Sequence, residues 1–117
     1  MLRRAMSNLS FKVCEIHQAM SGGSHVVKYS AEIDVLDASE PFSVEILSVY
    51  PTDWDFTEER EIARQMIERG AVRAFEGTGK AARIRVRGFV IHPVDFNPRY
   101  VEEYTFRVLR GVLGGTS

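Results

Sequence analysis

Between Asp55 and Phe75 the apolar residues fall on one helical face and on no other. Ile62, Ala63, Met66, Ile67, Ala71, Ala74 and Phe75 follow a 3.6-residue period, while Glu58, Glu59, Arg60, Glu61, Arg64, Gln65, Glu68 and Arg69 fill the opposite side. The pattern predicts an amphipathic helix that needs a flat apolar partner. Asp55 followed by Glu58 has the spacing of a capping box, which puts the helix start there. Gly70 costs about 1 kcal/mol relative to Ala in a helix interior. Because Ala71, Ala74 and Phe75 stay on the apolar face, continuation through Gly70 is favoured over a stop at Arg69 followed by a short strand.

Alternating segments supply the partner. Leu9, Phe11 and Val13 alternate with Ser10 and Lys12, after which Cys14 and Ile16 interleave with Glu15 and His17. The apolar parity thus switches in mid-strand, which a bulge would explain. After a turn over Met20-Ser21-Gly22-Gly23-Ser24, the residues Val27, Tyr29, Ala31, Ile33 and Val35 alternate with Lys28, Ser30, Glu32 and Asp34. A third run after Pro41 sets Phe42, Val44 and Ile46 against Ser43 and Glu45, and Pro51-Thr52-Asp53 ends it. Downstream of the helix, Ala82, Ile84 and Val86 alternate with Arg83, Arg85 and Arg87 in a fourth strand that runs through a bend at Gly88 toward Ile91.

Asn97 then stands at an N-cap position with Pro98 as the first helical residue, and Val101, Tyr104, Thr105, Val108, Leu109 and Val112 share one face. This predicts a second helix. Tyr104, Phe106 and Val108 also fit a strand period, the competing reading. The order β-β-β-α-β-α implies one α+β domain over residues 9–113, with a mainly antiparallel sheet that carries both helices on one face and leaves the other polar. Residues 1–8 and 114–117 are expected to be flexible tails. The order resembles that of the second domain of a small-subunit ribosomal protein, a likeness of element order alone that carries no motif and assigns no family.

A chain of 117 residues with 44% apolar content suits one core. The net charge of −1 gives no global pull toward phosphate backbones or anionic membranes, so a nucleic-acid role would need a local patch. Cys14 is the single cysteine, which excludes an intrachain disulfide or a cysteine zinc cage and fits a reducing, cytoplasmic address. Arg3 and Arg4 are followed by a stretch that Ser7, Asn8 and Ser10 interrupt, so no signal peptide is expected. No apolar run approaches the roughly 20 residues that span a bilayer, and no membrane association is expected.

Candidate chemistry is sparse. Arg83, Arg85 and Arg87 share one strand face at intervals near 7 Å, which would let them track a single-stranded nucleic acid with Tyr50, Trp54 or Phe89 as stacking surfaces. Cross-strand pairing with Glu32, Asp34 or Glu45 is the favoured structural reading of the same stripe. Glu76-Gly77-Thr78-Gly79-Lys80 lacks the glycine and the hydroxyl of a phosphate loop, since Ala74 and Ala81 stand there, and is expected to be a turn. Asp53, Asp55, His92 and Asp95 could form a loop site for a small enzyme or a metal, if the loops meet. His17 and His25 flank a hairpin and are expected to be solvated; Cys14 is expected to be an inert core residue.

Arg99, Tyr100, Phe106, Arg110 and Leu113 fall outside the second helix's main stripe and mix apolar groups with arginine, as protein interfaces do. The chain is therefore expected to be a non-catalytic binding or assembly module acting on a protein partner or on a second copy of itself. The alternatives are a single-stranded nucleic-acid-binding domain using Arg83, Arg85 and Arg87, and a small enzyme or metal-binding protein built around His92 and Asp95. No catalytic residue, metal ligand or cofactor is assigned.

Overall fold

Strict alternation in the second apolar segment produces the longest strand, and the sheet is assembled around it. In the computed structural model, which describes residues 7–17, 25–52, 55–91 and 96–114, the strands β1 (Ser7–His17), β2 (His25–Asp37), β3 (Ser43–Ile46) and β5 (Lys80–Arg87) form one sheet in the order β1-β2-β5-β3. The β1/β2 and β2/β5 ladders are antiparallel and β3/β5 is parallel. Two short strands, β4 (Val49–Tyr50) and β6 (Phe89–Val90), pair in parallel beyond this sheet. Gly88, at φ 65°, turns the chain between β5 and β6 in a conformation that side chains other than glycine resist.

Helix α1 (Thr57–Ala74) connects the parallel strands β3 and β5, and α2 (Pro98–Gly114) follows β6. The expected α+β architecture is therefore present, with helix and not strand over the C-terminal segment. Phe11, Val13, Val27, Tyr29, Ile33, Val44, Ile84 and Val86 join Ala63, Ile67, Ala71, Val101 and Leu109 in one buried core. Burying this one sheet face is the main driving force for folding, at about 25 cal/mol per Å² of apolar surface removed from water. The opposite sheet face is polar in its middle rows, from Asn8 and Asp34 to Lys12 and Ser30, and apolar at its ends, with Leu36 and Ala81 at one and Ile16 and Val26 at the other.

Several local expectations need correction. β1 pairs one-to-one with β2 from Ser7 opposite Val35 to His17 opposite His25, so it holds no bulge. The change of parity in its sequence instead places Cys14 and Ile16 on the outer sheet face, both exposed, Ile16 by 58%. Cys14 is thus not a core residue. Ser7, Asn8 and Gly114 belong to β1 and α2 and not to tails.

The capping box does not form either. Phe56 is the N-cap of α1 and has no side-chain cap bond; Asp55 lies one position too early and accepts the Thr57 N–H at 3.0 Å instead. Helix α1 does continue through Gly70. At the start of α2, Asn97 accepts the Arg99 N–H at 3.2 Å through its side chain, as a capping residue should.

Candidate functional site

The polar sheet face is built in rows, because antiparallel register places residues of equal parity side by side. Asn8, Asp34, Arg83 and Ser43 form one row across β1, β2, β5 and β3; Ser10, Glu32, Arg85 and Glu45 form the next. Arg85 donates to Asp34 Oδ2 at 2.8 Å and to Glu32 Oε2 at 3.3 Å. Arg83 donates to the same Asp34 oxygen at 2.9 Å, and Asn8 Nδ2 to Oδ1 at 2.7 Å. Asp34 is only 7% exposed. The hydrogen bond from Arg85, with those from Asn8 and Arg83, outweighs the desolvation and holds its carboxyl well below the usual carboxylate range. Arg83 and Arg85 are thus committed to pairing within the sheet, while Arg87 is not.

Lys12 and Arg87 flank Ser30 in the third row, and Lys28 follows one step along β2, opposite Cys14. Lys12, Lys28 and Arg87 are exposed and form no ion pair among the described residues. With Cys14, Ser30 and Gly88 they line a shallow, open depression. The Ser30 hydroxyl donates only a long bond, 3.4 Å, to the Arg87 carbonyl. Lys12 and Lys28 were not legible as site residues, since only the pairing register brings them to Arg87.

On the helical side, α2 is fastened to β2 by buried polar pairs. The Tyr29 and Thr105 hydroxyls share a short hydrogen bond, and His25 Nε2 lies 2.7 Å from the Tyr104 hydroxyl. Burial raises the Tyr29 phenol far above its ordinary pKa, a shift that the bond to Thr105 opposes. The His25 ring is stacked on Tyr100 with centroids 3.7 Å apart. His25 is therefore a buried structural residue and not a solvated hairpin histidine.

The five C-terminal candidates do not share one surface. A helix turns about 100° per residue, so Arg99, Phe106, Arg110 and Leu113 fall within about 60° of one another, and Tyr100 about 120° from Phe106. Tyr100 faces β2 through His25. Phe106 faces α1: the Arg73 guanidinium lies 4.2 Å from its ring centroid and that of Arg110 5.9 Å. Phe106 and Leu113 are half-buried and pack against the core, whereas Arg99 and Arg110 are exposed. Arg73 also donates to Glu102 Oε2 at 2.9 Å, and Val72, which lines a groove with Glu68, Arg69, Arg73 and Glu102, is 42% exposed.

Asp53, Trp54, His92 and Asp95 lie outside the described residues, and Asp55 is engaged by Thr57. Among the described residues no cluster of three His, Cys, Asp or Glu side chains could hold a metal, and no helix is long and apolar enough to cross a membrane. Phe75–Gly79 is a turn between α1 and β5, with Gly77 and Gly79 at positive φ. No family model and no curated protein matches this chain.

Proposed function

We propose that this protein is a non-catalytic binding module that self-associates through the ridge where α1 and α2 meet. One observation carries the reading: the half-buried Phe106 has the Arg73 guanidinium 4.2 Å and the Arg110 guanidinium 5.9 Å from its ring centroid, an aromatic in an arginine frame. Interface hot spots have this composition, and a side chain fixed before binding loses little entropy on docking.

A second copy suits the ridge because the patch carries both signs. Arg69, Arg73 and Arg110 lie among Glu68, Glu102 and Glu103. Across a two-fold axis, such a surface can set arginine of one copy against glutamate of the other. Sedimentation velocity over a concentration series tests the proposal. A mass that rises with concentration is expected, and Phe106→Glu should raise the dissociation constant roughly tenfold or more by placing a charge at the aromatic centre. A monomer at every concentration contradicts it.

A further inference from the structure

We infer a second, independent site on the opposite face of the molecule: Lys12, Lys28, Arg87 and Tyr50 form a binding surface for single-stranded nucleic acid. The stripe of Arg83, Arg85 and Arg87 suggested by the sequence is not the surface concerned. Asp34 and Glu32 neutralise its first two members, leaving Arg87 as its one arginine without an acidic partner among the described residues. The register replaces the lost pair with lysines from two other strands. Lys12 and Arg87 stand two strands apart on the same row, about 10 Å, and Lys28 is displaced by one row, about 7 Å along β2.

An aromatic borders the same depression. Tyr50 is 52% exposed, and a Cβ placed on Gly88, which lines the depression beside Arg87, would touch the Tyr50 ring edge at 3.7 Å. Phe89, the other described stacking candidate, is 1% exposed and stacked on Tyr29 in the core, so Tyr50 takes that role. Glu32, in the adjoining row, is the nearest outward-facing acid along β2, and Arg85 engages it.

The partner follows from the shape. The three cations are exposed on an open surface, where each contact with a small anion is weak and screened by salt. A chain of phosphates sums such contacts and gains by releasing its counterions. An exposed ring beside the cations adds base stacking, which duplex nucleic acid and acidic proteins cannot use. The combination fits a flexible single strand.

The experiment is fluorescence anisotropy with labelled oligo-dT and oligo-U, against unlabelled heparin as a polyanion without bases. Binding should weaken roughly 20-fold between 50 and 200 mM salt, as three single-strand phosphate contacts require. Lys12→Gln, Lys28→Gln and Arg87→Gln should each flatten that salt dependence. Tyr50→Ala should weaken oligonucleotide binding by roughly fivefold or more and leave heparin binding unchanged. These positions lie on three strands of the polar face and on β4, so a variant that fails to fold leaves others to decide. No binding at 50 mM salt, or binding that the cation variants do not alter, overturns the site. An unchanged oligonucleotide affinity in Tyr50→Ala overturns the assignment to nucleic acid.

Discussion

A methyl group added to Gly70 would stand 2.6 Å from the backbone carbonyl oxygen of Glu102. The two helices therefore meet with glycine as the spacer, which explains a residue that helix propensity disfavours. Gly70→Ala gains up to about 1 kcal/mol of propensity, but must push α2 away, an overpacking that costs about 1–3 kcal/mol. Net destabilisation is expected in denaturant melts. Gly111, in α2 with nothing within 4 Å of its added Cβ, is the control. Gly111→Ala should stabilise by about 0.5–1 kcal/mol.

Asp34 predicts a pH dependence. Its carboxyl sits below its unfolded value in the folded protein, chiefly through Arg85. The stabilisation is complete above the ordinary carboxylate pKa, near 4, and fades as pH falls toward the lowered folded value. Asp34→Asn should cost about 1–2 kcal/mol at neutral pH, discounted because Arg83, its second arginine partner, is half-exposed. The difference between variant and parent, read from urea melts from pH 7 to pH 2, should shrink with acid. A constant difference would refute the pairing.

Tyr29 and Thr105 share a buried hydrogen bond between β2 and α2. Thr105→Val leaves the phenol without its partner and should cost about 1–3 kcal/mol. Adding Tyr29→Phe removes the orphaned hydroxyl, so the double variant should be less destabilised than the two single losses summed. Additive losses in a double-mutant cycle would deny the coupling.

Cys14 faces solvent. It should react with a thiol reagent in native buffer at a rate close to that in denaturant. Strong protection in the native state would place it in the core.

How far the sequence was readable depended on whether a residue's fate was set locally. The stripe through Ile67 and Ala71 and the alternation through Val27 and Ile33 are periodic over many residues, so one buried face suffices to identify helix and strand. Asn97 and Pro98 named the start of α2 for the same reason. Cys14 and Ile16 misled because an apolar residue at an outward position looks like a bulge until the pairing is known. Lys12 and Arg87 belong to β1 and β5, which touch the same residue of β2, Ser30. Only strand order could bring them together. The sequence pattern sets Phe106 off the main stripe of α2, yet the Arg73 guanidinium of α1 lies 4.2 Å from its ring centroid, a contact made by the helix crossing.

The most direct test of the self-association ridge is to follow backbone amide shifts by NMR as the protein is diluted. Concentration-dependent shifts are expected in residues 68–73 and 102–113, with the strands of the polar sheet face unmoved. Shifts confined to β1, β2 and β5, or none across the range, would contradict the account.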